Sequence, residues 1–190
     1  MGIRPSLMLQ FEIRHIPEVS STNTVALEAA KKGAREGLVI TADHQTEGRG
    51  KPGRQWISPA GKNLLCSILL RPPLSPAQAP ILTQVACRAV AKVLKEKYDV
   101  VARFKRPNDL MVGSQKICGT LVEASSSSTK LEAVVIGIGL NVNAAAEELP
   151  PEGISISILK KSTYSVNDVL GHILDELARK CDVLYKNGLK

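Results

Sequence analysis

The sequence predicts an α+β fold, one mixed β-sheet packed against helices, on three observations. Short apolar runs rich in β-branched residues come in series, joined mostly by links of hairpin length. Two other stretches, one mid-chain and one near the end, repeat apolar residues at helical spacing. Hydrophobic residues make up 44% and charged residues 23% of the 190, which supports a packed core and excludes a disordered or fibrous chain. Aromatics are only 3%, so the core must be aliphatic, and stacking platforms of the single-strand-binding kind are not expected.

Taken in order, Ser20, Ser21 and Thr22 can cap a short helix carrying Val25, Ala26, Ala29 and Ala30, with Gly33 as its stop. Residues 37–43 read as a strand, and 45–60, rich in glycine and proline, as a long loop. Residues 64–70 are again a strand, closed by Arg71, Pro72 and Pro73. From Ala77 to Tyr98 the positions Ile81, Leu82, Val85, Ala89, Val93 and Leu94 predict a helix. Strands follow over 100–105, 116–124 and 131–138; Pro107, Asn108 and Asp109, then Val112, Gly113 and Ser114, separate the first two. The serine run 125–128 reads as a hairpin tip. Ser165 with Asp168 resembles a capping box opening a last helix, with Val169, Leu170, Ile173, Leu174, Leu177, Cys181 and Leu184 on one face and Gly188 near its end. No internal repeat is evident, and 1–190 reads as one domain.

Several functions are disfavoured at once. No apolar run approaches a membrane span, and the start is too short and weakly patterned for a signal peptide. Cys66, Cys87, Cys118 and Cys181 are far apart, with no C-x-x-C pair, and His15, His44 and His172 are scattered. No metal-ligating residue is therefore assigned, and neither a zinc site nor a Ser–His dyad is supported. Unpaired thiols fit a reducing compartment, which makes a cytoplasmic location the default, with organellar import left open. The net charge is +7, and an excess of two cations falls in 45–56 and of three in 103–116. Two local clusters on loops or strand ends suit a phosphate-bearing small molecule better than a long polyanion.

Three segments carry the chemistry. Gln45, Gly48, Arg49, Gly50, Lys51, Gly53, Arg54 and Trp56 form a glycine loop with interleaved cations, which allows backbone N–H groups close to an anion. It is not a Walker loop. Pro107, Asn108 and Asp109 precede a strand bearing Lys116 and Gly119, where glycine allows close approach of a ligand. Gly137 and Gly139 with Asn141 end the 131–138 strand, without the third glycine and helix of a dinucleotide fingerprint.

With Ser21, Thr22 and Asn23, these segments, in this order from about Ser20 to Asn143, resemble the catalytic domain of biotin protein ligases. The resemblance implies the biotin/lipoate ligase fold and an ATP-dependent, AMP-forming activity. Biotin would be activated to biotinyl-5'-AMP, then passed to one lysine of a biotin carboxyl carrier domain, with Mg²⁺ alongside ATP. It also implies roles: Ser21, Thr22 and Gln45 at biotin's ureido end or its neighbourhood, Asn23 in the substrate site, and the loop of Gly48, Arg49, Gly50, Lys51 and Arg54 over the adenylate, ordered by Trp56. Lys116 would hold the biotin carboxylate and phosphate oxygen, Asp109 would sit near the acceptor amine or metal, Asn108 in the substrate site and Asn141 near the nucleotide. Gly119, Gly137 and Gly139 would complete the binding surface. Arg49, Lys116 and Asp109 would carry the reaction. Family members commonly form a homodimer through the sheet; neither a membrane nor a specific nucleic acid is implied as a partner.

Three departures stand out. Arg106 occupies the place of the family's tryptophan before Pro-Asn-Asp, which removes that residue from the apolar wall of the biotin pocket. Lys51 replaces a common arginine, keeping charge but losing the planar fork. The small C-terminal β-barrel of many members is expected to be absent or reduced. About twenty residues precede the first motif, too few for a helix-turn-helix domain, so no repressor role is expected. The competing readings are a lipoate or octanoate ligase or transferase of the same fold and, more remotely, a non-catalytic ligand- or nucleic-acid-binding module.

Overall fold

The computed structural model describes residues 9–50, 53–126 and 131–187. Lys51, Gly188 and the outer half of the serine run lie outside the described residues.

Seven strands form one mixed sheet: β1 (Glu12–Val19), β2 (Leu38–Gln45), β3 (Leu64–Leu70), β4 (Arg103–Lys105), β5 (Asp109–Val112), β6 (Gln115–Ser126) and β7 (Leu131–Leu140). Their order is β1-β2-β3-β7-β6-β5-β4; β1 and β2 run parallel and every other pair is antiparallel. The helices are α1 (Thr22–Lys31), α2 (Ile81–Tyr98), the five-residue α3 (Ile156–Lys160) and α4 (Val166–Asn187). This is the α+β arrangement that the sequence predicts.

Strand alternation distributes the core between two faces. Val39, Cys66, Ile68, Leu70, Val134, Ile136, Ile138 and Leu140 point to one face, where α2 and α4 cover them with Leu82, Val90, Leu94, Val169, Ile173 and Leu177. Leu38, Ile40, Leu69, Ala133 and Val135 point to the other, where α1 covers them with Ala26. Along this second face β7 reads Ala133, Val135, Gly137, Gly139. Apolar side chains therefore end just where the N-terminus of α1 ends, and glycine leaves the sheet bare beyond it.

Three elements are not foreseen in the sequence, and two others have different bounds. β1 is unforeseen because most of its residues are exposed and Pro17 interrupts it; as an edge strand paired only with β2 it tolerates both. β5 follows directly on Pro-Asn and is four residues long, so turn chemistry hides it. α3 is a single short helix capped by Ser155, whose Oγ accepts from Ile158 N at 3.2 Å. The predicted strand over 100–105 is confined to β4, and the predicted mid-chain helix begins four residues late, at Ile81, behind a 3₁₀ turn at Pro76–Gln78.

Candidate active site

The glycine-bared part of the sheet is the floor of a cleft of about 280 Å³. Strand register sets the floor in rows: Leu65, Gly139, Gly119 and Asp109 lie abreast across β3, β7, β6 and β5. Ser67, Gly137 and Leu121 form the next row. At each glycine something occupies the space of the missing side chain. A Cβ on Gly137 would overlap Asn23 Oδ1, one on Gly139 would overlap the Trp56 indole, and one on Gly119 would come within 3.0 Å of that ring.

The inner end is a connected polar set at the start of α1. Ser21, Thr22 and Asn23 are buried because α1 begins against the sheet. Ser21 is the helix N-cap, but its side chain makes no capping bond and instead lines the cleft. Thr22 donates to Gln45 Oε1 from both N (2.8 Å) and Oγ1 (3.0 Å). Ser67 Oγ lies 2.7 Å from Thr22 Oγ1 and 2.5 Å from Asn23 Oδ1, so its single proton is shared between two acceptors. Asn23 Nδ2 donates to Glu123 Oε2 at 2.7 Å and to Leu121 O at 3.3 Å. These bonds fix donors and acceptors on several sides of one small space, as recognition of a polar, uncharged group requires.

The glycine loop is a flap folded on itself. Trp56 N donates to Gly48 O and Gly50 N to Arg54 O, both at 2.9 Å, and Arg49 bridges to Gln55. Gly53 takes a φ of +78° at its turn, a conformation that glycine adopts without strain. Gly48 carries no side chain because a Cβ there would overlap Trp56 O. Arg49, Gly50, Arg54 and Trp56 all line the cleft, and Arg49 Nη2 donates to Glu123 Oε2 (3.0 Å) and Thr24 Oγ1 (3.1 Å).

The outer end holds Lys116 and the Asn108–Asp109 pair. Lys116 Nζ stands 2.8 Å from Asp109 Oδ1 and 5.3 Å from the centre of the Trp56 ring, a cation over an aromatic face. The Lys116–Asp109 contact is a charge contact off the hydrogen-bonding direction, so Asp109 Oδ1 is buried without a hydrogen-bond partner. Asn108 Oδ1 and Trp56 Nε1 are likewise buried without one. Asn108 itself is rigid: Nδ2 donates to Thr120 O at 2.6 Å and its carbonyl accepts from Thr120 N at 2.9 Å. Among the described residues these three orphan atoms are the only ones, and all belong to residues lining the cleft. Buried polar atoms are normally paired, so their grouping marks a place for a ligand's own polar atoms.

Every described residue to which the resemblance gives a role lines this cleft except Gly48, which shapes the flap; Gly53 and Pro107 do not line it. Asn141 does so with its amide engaged: Nδ2 donates to Ile154 O at 3.0 Å, tying the 152–156 segment to the sheet. Arg106 is exposed and does not line the cleft; Met111, Leu121 and Ile57 supply apolar surface there. Sequence reasoning missed Ser67 and Glu123, although strand alternation puts both on the glycine face. It also missed Asn63, whose Oδ1 accepts from Val142 N at 2.9 Å just beyond Asn141. Among the described residues no cluster of His, Cys, Asp and Glu could hold a metal ion, and no helix is long and apolar enough to cross a membrane.

Cys66 and Cys118 lie on floor strands but belong to the core under α2 and α4, where burial pushes the Cys66 thiol up to about 12 and the Cys118 thiol well above its ordinary range. Neither is therefore a thiolate nucleophile. The cleft offers positioned cations and a polar cradle.

Comparison with known proteins agrees with this geometry. Residues 16–141 match the model of the biotin/lipoate A/B protein ligase family. The bifunctional ligase/repressor BirA of Bacillus subtilis is 34% identical over 174 residues, covering 92% of this chain and 51% of its own. The biotin–[acetyl-CoA-carboxylase] ligase of Mycobacterium tuberculosis is 32% identical, covering 85% of this chain and 61% of its own. The chain thus spans about half the length of the first of these relatives. Among solved structures, biotin protein ligase from Aquifex aeolicus in complex with biotin and ATP superposes with a TM-score of 0.78 at 26% identity, covering 93% of this chain and 72% of that one. On the match over 16–141 and these identities, the chain belongs to the biotin/lipoate A/B protein ligase family.

Proposed function

We propose that this chain is a biotin–[biotin carboxyl-carrier protein] ligase, joining biotin to ATP and transferring the biotinyl group to a carrier lysine. The observation that carries this is the convergence of Arg49 and Lys116, from segments far apart in sequence, on one cleft with a preset polar inner end. The similar Aquifex aeolicus structure holds biotin and ATP, which supports the substrate pair. All described strands belong to one sheet, which supports reading 1–190 as one catalytic domain.

In the first step a biotin carboxylate oxygen attacks the α-phosphorus of ATP, the bond to the β-phosphate oxygen breaks, and pyrophosphate leaves. Two anions must come into contact, and the cations of Arg49, Arg54 and Lys116 offset their repulsion. Thr22, Asn23 and Gln45 hold the uncharged end of biotin, so the carboxylate is presented at a fixed depth. Orientation of this kind contributes up to roughly 7–11 kcal/mol in favourable cases. In the second step the neutral lysine amine of the carrier attacks the acyl carbon, AMP leaves, and a proton is lost from the nitrogen. Asn108 Oδ1, buried without a partner, and the Asp109 carboxylate oxygen paired with Lys116 are acceptors suited to orient that amine before it attacks.

The same two oxygens are hard donors, so they fit Mg²⁺ arriving on the ATP phosphates, which typically takes one or two protein oxygens and keeps the rest of its shell from phosphate and water. Bound there, it would neutralise phosphate charge.

Biotin-dependent release of pyrophosphate from ATP tests the first step. Lipoate or octanoate supporting that release in place of biotin would move the chain to the lipoyl branch of the family. Salt-steep DNA binding without any pyrophosphate release would favour a non-catalytic module.

A further inference from the structure

Glu123 presents a puzzle: it is a carboxylate, 27% exposed, on the glycine face of β6 beside a cleft lined by the cations Arg49, Arg54, Lys105 and Lys116. Its partners resolve it. Oε2 accepts from Asn23 Nδ2 at 2.7 Å and from Arg49 Nη2 at 3.0 Å, so a single oxygen joins the start of α1 to the flap. We propose that Glu123 is a positioning residue that seats the flap by holding Arg49 over the cleft.

The register of β6 explains why a glutamate belongs here. Gly119, Leu121 and Glu123 share one face of the strand; the Trp56 ring rests at Gly119 and Arg49 is tied at Glu123. The flap is therefore fixed at two points four residues apart on one strand, about 13 Å. Each end uses what its partner needs, an absent side chain for the indole and a charge for the guanidinium. Glu123 engages only one corner of the arginine fork. Nη2 makes all of the hydrogen bonds of the Arg49 side chain among the described residues, which leaves the other donors of this cleft-lining arginine available to an anion. The carboxylate thus orients the arginine without occupying it. Asn23, held by the same oxygen, is fixed together with the flap, which couples the polar cradle to the cation above it.

This inference rests on the adenylate-forming reading for its kinetic test, and a second test is independent of that reading. Single-turnover formation of the adenylate is measured for the wild type, Glu123→Gln, Arg49→Gln and the double variant. Glutamine keeps an acceptor for Asn23 but removes the charge that holds Arg49. Glu123→Gln is expected to slow the step about tenfold while biotin affinity stays within about twofold, because the loss lies in the orientation of Arg49. In the Arg49→Gln background the same change is expected to cost nothing further, since coupled residues are non-additive. Equal slowing in both backgrounds overturns the proposal, because Glu123 would then act without Arg49. Glu123→Asp, which keeps the charge on a shorter stem, is expected to fall between wild type and Glu123→Gln.

The independent test is trypsin cleavage after Arg49 and Arg54 in the ligand-free protein. Faster cleavage in Glu123→Gln at an unchanged melting temperature supports the seating role; identical cleavage rates overturn it. If the wild type forms no adenylate, the ligase reading fails, and the cleavage rates still decide the role of Glu123.

Discussion

The Trp56 indole lies so close to Gly139 that a Cβ on the glycine would stand 2.8 Å from its Cδ2 and Cζ2. The flap is thereby keyed to the sheet by the absence of one side chain, and the Lys116 ammonium rests over the same ring. A change of one methyl group at position 139 therefore acts on the flap and on Lys116 together.

Gly139→Ala is expected to lift Trp56 off the floor and reduce biotin-dependent adenylate formation at least about tenfold. Stability should change by only about 1 kcal/mol, because the flap lies on the surface and can move away. Intrinsic fluorescence reports the displacement directly, since Trp56 is the sole tryptophan.

Ser67→Ala removes the hydroxyl between Thr22 and Asn23. Loss of one buried hydroxyl network bond should cost about 1–2 kcal/mol of stability, read as a lower denaturant midpoint. Biotin affinity, measured by calorimetry, should fall by about tenfold as the cradle loosens.

Glu176 offers a test of the fold away from the cleft. Burial pushes its carboxyl up, but hydrogen bonds from Lys92, Arg179 and Lys180 outweigh this and hold it below the usual carboxylate range. A carboxyl lowered in the folded state stabilises above its ordinary range, and that contribution is lost as pH falls through the lowered value. Glu176→Gln should therefore be less stable than wild type by about 1–2 kcal/mol at pH 7, a modest figure because the cationic partners are largely solvated. The gap should close below about pH 4, in thermal melts run across pH.

The four cysteines are buried and free, and burial pushes Cys66 and Cys181 up to about 12. Labelling by a thiol reagent at pH 7 should be slow in the native protein and fast for all four in denaturant. Rapid native labelling of Cys66 would show that the cleft floor opens far more than the structure implies.

The legible parts of the sequence were those where local pattern and tertiary role coincide. α4 shows its buried face as Val169, Leu170, Ile173, Leu174 and Leu177, and β7 shows its bared end as Gly137 and Gly139. The flap was legible because glycines and cations are close in sequence as well as in space. What could not be read was whatever depends on distant pairing. β1 has no buried face of its own and exists through its register with β2. The Arg49–Glu123 tie joins residues 74 apart, and Glu123 alone looks like an ordinary solvent-facing strand residue. Ser67, among the aliphatic residues of β3, reads as filler until Thr22 and Asn23 are brought to it. Arg106 shows the converse: a departure that looked consequential in sequence sits outside the cleft in space.

The most direct measurement is the intact mass of a biotin carboxyl carrier domain after incubation with this protein, biotin, ATP and Mg²⁺, run beside Lys116→Ala. Lys116 lies in the cleft 2.8 Å from Asp109 and over the flap's tryptophan, where the proposed first step brings two acids together. The expected result is one biotinyl group added to the carrier by the wild type and at least about a hundredfold slower addition by Lys116→Ala, with its melting temperature nearly kept. An unmodified carrier with the wild type, or equal rates for the two proteins, would contradict it.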